Sequence, residues 1–259
     1  MKKQFLALLC IFAMNGIAVA DDVQTRLKAM EAERDSASKH NGSSETYFSD
    51  NCPKHLVFWQ QAAQQGQAIA QSLLASCHFY GKGIDKDKAQ AMVWFRKAAE
   101  QGIARAQANL GLMYAKGEGI AKDEAQAVEW FRKAAEQGDT KAQVNLGNMY
   151  AEGKGIKKDE AKAMAWYRKA AEQGDAKAQY NLGIAYAKGE GITRDKAQSV
   201  VWFRKAAEQG LADAQYNLGV AYTEGKVITK DKAQAIVWFR KAAEQGDSDA
   251  QANLRQLSK

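Results

Sequence analysis

Along residues 105–138, apolar side chains recur at helical spacing in two stretches separated by glycines. Ala106, Leu110, Met113 and Tyr114 lay one apolar stripe along a first helix, helix A. Gly111 follows Leu110 and removes a side chain where another helix can then approach closely. Gly117 suits a left-handed helix end, Gly119 suits the turn after it, and Ile120 tucks that loop onto the core. Asp123 is placed to cap a second helix, helix B, with Gln126 three residues on, close to a capping box. Ala127, Trp130, Phe131, Ala134 and Ala135 form the buried side of helix B, and Gly138 ends it. The alanines let helices pack tightly, and the Trp-Phe pair fills the space between units. A tryptophan stripe at this spacing reads as core before it reads as a ligand platform.

The same pattern fits residues 69–102, 141–174, 177–210 and 213–246. The motif W-[FY]-R-K-A-A-E-Q-G starts at Trp94, Trp130, Trp166, Trp202 and Trp238, each 36 residues after the last. Self-similarity at such a period marks a solenoid of stacked helix pairs, in which each unit packs only on its neighbours. The first helix A is degenerate: Leu73 stands in the Asn place, and Cys77-His78 replaces Met-Tyr. In the last repeat Val227 stands where the others have Gly83, Gly119, Gly155 and Gly191, so that loop must differ locally.

The predicted organisation is a leader over 1–20, an N-terminal helical segment and linker over 21–54, and a partial repeat over 55–68 that matches helix B alone. Five repeats over 69–248 and a C-terminal capping helix over 249–259 complete it. Solenoid ends must hide an exposed apolar face, which is the role of that last helix. Val23, Leu27 and Met30 give residues 22–39 an apolar side, and Asn41-Gly42-Ser43-Ser44 reads as a linker.

Lys2 and Lys3, the apolar run from Phe5 to Ile17 and the small-x-small Ala18-Val19-Ala20 form a secretory signal pattern. The apolar run is short for a membrane span, and Leu9 before Cys10 argues against a lipid anchor. The mature chain is then expected to be soluble, in the periplasm or outside the cell. The net charge of +7 drops to +5 when the two leader lysines leave. Acids and bases alternate along each repeat as on a solvated face, with no basic stripe of the kind nucleic acid needs. Weak attraction to acidic partners is compatible with this excess. The single proline among 259 residues favours helix throughout.

Cys52 and Cys77 remain after processing, and an oxidising compartment makes one disulfide the default. A metal site is the alternative, because Cys52-x-x-His55 and Cys77-His78 supply four candidate ligands. Adjacent helical residues point about 100° apart, so Cys77 and His78 are poorly placed to share one ion.

The pattern A-Q-x-N-L-G-x-x-Y-x-x-G-x-G, then K-D-x-x-K/Q-A-x-x-W-F-R-K-A-A-E-Q-G, strongly resembles Sel1-like repeats over about residues 55–257. The tetratricopeptide repeat fits less well, with its period of about 34 and a proline that these units lack. The resemblance implies an all-α, right-handed α/α superhelix with helix A lining a concave groove. It also implies a non-enzymatic scaffold or adaptor that binds a protein or peptide there, and some periplasmic members resemble immunity proteins against toxins. Some cysteine-rich relatives resemble β-lactam binders or β-lactamases, but this chain lacks their repeated cysteine pairs.

By the same resemblance, the helix A position held by Asn109, Asn145, Asn181, Asn217 and Asn253 faces the groove. A ladder of amides there suits a peptide backbone, since each can donate and accept; equally, each Asn can tie its repeat to the next. Partner choice should be set by positions that differ between repeats. These are Ala108, Val144, Tyr180, Tyr216 and Ala252, and one turn earlier Arg105, Lys141, Lys177, Asp213 and Asp249. Tyr180 and Tyr216 read as partner anchors or as packing between repeats. No S-x-x-K set, H-E-x-x-H, G-x-S-x-G or P-loop occurs, and the mature histidines His40, His55 and His78 form no evident triad. No catalytic residue, cofactor or metal is expected.

Overall fold

The computed structural model describes residues 21–37 and 44–257. The expected leader over 1–20, His40 and the expected linker residues Asn41, Gly42 and Ser43 lie outside the described residues. Among the described residues every regular element is a helix, and the chain folds as an all-α helical-repeat solenoid. It forms two compact units, one ending at Asp123 and one beginning at Glu124.

The first unit holds α1 (21–37), α2 (Ser44–Gln64), α3 (Ala68–Tyr80), α4 (Lys88–Glu100) and α5 (Ala104–Lys116). α2 is one helix across the point at which the sequence reading divides linker from partial repeat, and it carries Pro53 in its interior. Pro53 has no N–H to give to the carbonyl one turn back, so that turn lacks a helical bond. Elsewhere the helix is held by its packing. Phe48, Cys52 and Trp59 are fully buried in a core with Leu27, Leu73 and Leu74. Cys52 and Cys77 form a disulfide between α2 and α3, with Cα atoms 5.9 Å apart. The structure therefore takes the disulfide rather than the metal alternative, and His55 packs beside the Trp59 ring instead. A link spanning 25 residues contributes about 3 kcal/mol by restricting the unfolded chain.

The second unit holds α6 (Glu124–Glu136), α7 (Thr140–Glu152), α8 (Glu160–Glu172), α9 (Ala176–Lys188), α10 (Lys196–Glu208), α11 (Ala212–Glu224), α12 (Lys232–Glu244) and α13 (Ser248–Leu257). The expected stripes are the buried ones: Leu146, Leu182 and Leu218 on helices A, and Phe131, Tyr167, Phe203 and Phe239 on helices B. The glycine after each helix A leucine is required by packing. A Cβ on Gly147 would lie 2.6 Å from the Tyr167 ring, and one on Gly219 would lie 2.8 Å from Phe239.

Helix B starts at the predicted aspartates. Asp159, Asp195 and Asp231 accept hydrogen bonds from the backbone N–H of Lys162, Gln198 and Gln234, as Asp87 does from Gln90 in the first unit. Each such cap is worth about 1 kcal/mol. No non-glycine residue among those described has positive φ, so the loop through Val227 takes a path its relatives do not, as its β-branched side chain requires. The helix B tryptophans before the last repeat lie between core and surface, while Trp238 is buried. Trp130, Trp166 and Trp202 are half-buried, with the Nζ of Lys133, Lys169 and Lys205 over their rings at 4.1, 4.1 and 4.2 Å.

Candidate functional site

In the second unit, helices A bury one side and leave another open. On α9 the buried residues are Ala178, Gln179, Leu182, Gly183 and Ala185. Lys177 is exposed, while Tyr180, Asn181 and Ile184 are half-buried. The spacing of these four residues puts them on a single face. On α11 the same positions are Asp213, exposed, and Tyr216, Asn217 and Val220, half-buried. On α7 they are Lys141, exposed, with Val144, Asn145 and Asn148 half-buried. α13 continues the row with exposed Asp249 and half-buried Ala252 and Asn253.

The two tyrosines sit in matching surroundings. The Tyr180 ring is 5.8 Å from that of Phe203, and the Tyr216 ring is 5.7 Å from that of Phe239. Each tyrosine thus covers the aromatic residue of its own helix B and still shows part of its ring to solvent. Burial raises the Tyr180 pKa, the Asp213 carboxylate raises it further, and a hydrogen bond with the Asn217 side chain pulls the other way. That bond joins α9 to α11. Asn217 Nδ2 also donates to the Asp213 carbonyl at 2.8 Å. The Asn217 amide is therefore engaged within the fold and links adjacent repeats, one of the two roles the sequence leaves open. Asn148, on α7, accepts from the Tyr167 hydroxyl at 2.5 Å.

In the first unit the corresponding positions are placed differently. Arg105, the counterpart of Lys141 and Lys177, is 3.5 Å from the Asp35 carboxylate of α1. Asn109 is half-buried. On α3 the counterparts Ile69, Ser72, Leu73 and Ser76 are all buried.

Sequence reasoning passed over a second set of amides. Gln143, Gln179 and Gln215 are buried, and each donates from Nε2 to the carbonyl of Ala135, Ala171 or Ala207 at 3.2 Å. Each also accepts at Oε1 from the glutamine ending the following helix B: Gln173 and Gln209 at 2.8 Å, Gln245 at 2.9 Å. In the first unit Gln71 does the same between Ala63 and Gln101. The signal was present in the A-Q-x-N motif, where a polar residue follows the buried alanine in every repeat. These side chains are structural and offer nothing to a partner.

Among the described residues, no cluster of three or more His, Cys, Asp and Glu side chains is placed to hold a metal ion. No described helix is long and apolar enough to cross a membrane.

A family model for the Sel1 repeat matches residues 68–103, 104–139, 140–175, 176–211 and 212–247. The chain is a Sel1-repeat protein. Proteins of this family are generally non-enzymatic scaffolds for protein interaction. This Sel1-repeat chain is similar to a protective antigen of uropathogenic Escherichia coli strains with an SLR fold, at 36% identity and a TM-score of 0.76 over 88% of this chain. It spans 50% of that protein's length. A Sel1 repeat protein from Oxalobacter formigenes is 38% identical, with a TM-score of 0.71, over 76% of this chain and 81% of that one. An immunity protein of Pseudomonas aeruginosa shares the fold at 17% identity and a TM-score of 0.52, over 86% of this chain and 82% of that one. No curated protein sequence gives a significant match.

Proposed function

We propose that this Sel1-repeat protein is a non-enzymatic adaptor of the bacterial periplasm or exterior, binding a protein partner on the open face of its helices A. The observation that carries the reading is the row formed by Tyr180, Ile184, Tyr216 and Val220. These side chains are half-buried, apolar or aromatic, and bordered by exposed Lys177 and Asp213. Aromatic anchors with a charged rim are the composition expected of a binding surface. The leader-like first twenty residues and the buried Cys52–Cys77 disulfide support a location outside the cytoplasm. Lys141 and Asn181 border the row and are assigned to the same site, together with Asn145, Asn253 and Lys177.

The test is site-specific photo-crosslinking of residues 21–259 in an envelope extract, with the probe at Asn181 or, as a control, at exposed Val201 on helix B. One partner captured from Asn181, and lost in Tyr180→Ala with Tyr216→Ala, is the expected result. Capture from Val201 alone would place the site on another face. A narrower reading makes the partner a toxin delivered into the periplasm, following the immunity proteins that share the fold. Rescue of cells expressing a candidate toxin is the measurement that separates it from the general adaptor.

A further inference from the structure

We infer that the segment accepted by the open face of α7, α9, α11 and α13 is an amphipathic helix, acidic at the end meeting Lys141 and Lys177 and basic at the end meeting Asp213 and Asp249. This rests on the reading of that face as a partner site, and it specifies the shape and charge of what binds.

The first argument comes from the first unit, which holds a helix in this way. α1 contributes Leu27 and Met30 to the core that contains Ile69 and Leu73 of α3, the positions that are open on α7 and α9. Arg26 of α1 lies 4.3 Å from the Phe58 ring on α2, and Asp35 lies 3.5 Å from Arg105 on α5. α1 thus reaches from α2 to α5, and the α3 face between them is closed. Its apolar side joins the same core as the helix A residues Ile69 and Leu73, and its carboxylate meets the cation in the first turn of a helix A. Lys141 and Lys177 hold that first-turn place in the second unit, where they are exposed.

The second argument is one of hydrogen bonding. An extended peptide brings unpaired N–H and C=O groups, which a binding surface must satisfy. The helices of this face satisfy their own backbone, and of the four asparagines in the row Asn217 is engaged with Tyr180 and the Asp213 carbonyl. A helical partner satisfies its own backbone and needs from the face only apolar contact and charge. The apolar contact is Val144, Tyr180, Ile184, Tyr216 and Val220, and the charge changes sign along the row between Lys177 and Asp213. That sign change favours a partner whose charges are segregated, with acids in one half and bases in the other.

Three synthetic probes test this by fluorescence anisotropy against residues 21–259. The first is a designed helix with leucines at helical spacing, glutamates in one half and lysines in the other. The second has the same composition with its charges interspersed, and the third is the first interrupted by central prolines. The segregated helix is expected to bind about tenfold more tightly than the interspersed one. In Asp213→Lys with Asp249→Lys the row becomes uniformly basic, and preference should pass to a helix acidic throughout. Tyr180→Ala with Tyr216→Ala should weaken every helical probe, with circular dichroism showing that the fold is kept. Equal binding of the segregated and interspersed helices overturns the polarity, and so the inference. Tighter binding of the proline-interrupted probe overturns the helical shape while leaving the face as the site. Binding of no probe also overturns the inference. The face itself is then judged separately, by whether crosslinking from Asn181 depends on Tyr180 and Tyr216.

Discussion

α3 and α9 are the same element in two copies of the repeat, one in each unit, and they are buried to different extents. α3 is buried through nine consecutive residues, from Ile69 to Cys77. α9 keeps Lys177, Tyr180, Asn181 and Ile184 on an open side. The difference follows from composition. Where α9 presents Lys, Tyr, Asn and Ile, α3 presents apolar Ile69 and Leu73, which favour removal from water, and the small Ser72 and Ser76. One backbone design thus serves as a sealed end in the first unit and as an offered surface in the second, and a few side chains decide which.

The sharpest way to break the comparison is to exchange those side chains. Leu73→Asn installs the residue found in every other repeat, yet it should cost on the order of 3–4 kcal/mol, from a lost leucine and an amide buried without partners. The reciprocal Asn181→Leu should change stability by no more than about 0.5 kcal/mol, because the site is half open. Urea unfolding of the two variants measures both, and equal costs would show that the faces are not different in kind.

The next effect concerns the closed end alone. Cys52→Ser with Cys77→Ser should remove about 3 kcal/mol. Hydrogen exchange should report the loss in α2 and α3 and leave α9 and α11 protected. Loss of protection throughout would mean that the units are not independent.

A change common to both regions comes third. Gln179→Leu removes the side-chain donor to the Ala171 carbonyl, which keeps the Gly174 N–H, and leaves the Gln209 amide without its acceptor. It should cost about 2 kcal/mol in thermal or urea unfolding. The matching change at Gln71 should cost a similar amount, because its rung is built alike.

The smallest effect is confined to alkaline pH. Burial, then the Glu152 charge, pushes the Tyr167 hydroxyl up to about 12 from its usual 10.0. The fold prefers the neutral phenol, so this contribution is complete below pH 10 and lost as pH rises through about 12. Tyr167→Phe should flatten the stability profile across that window, and an unchanged profile would mean that the hydroxyl is not buried as described.

The repeats were legible in the sequence because a 36-residue period fixes where each stripe, glycine and cap recurs. The cysteine pairing was legible because only two cysteines, Cys52 and Cys77, lie beyond the first twenty residues. The closure of α3 was not. Val23, Leu27 and Met30 show that α1 has a side to bury, but a stripe does not say against which helix, and the Asp35–Arg105 contact joins residues far apart in the chain. The role of Asn217 was half legible: an amide at that place was noticed, while its engagement with Tyr180 depends on how adjacent repeats are spaced. The buried glutamines were missed because polar side chains are expected at the surface, and only their partners at the ends of neighbouring helices explain them.

Those glutamines bear on how such chains change length over evolutionary time. Each rung takes its acceptor from the helix before it and its donor from the helix after it, with the same residues on both sides. Duplicating or excising one unit, such as residues 176–211, therefore brings together ends that already match and orphans no buried amide. The binding face can then lengthen or shorten by whole units through recombination, while point substitutions at places such as Tyr180 and Asp213 retune what it holds.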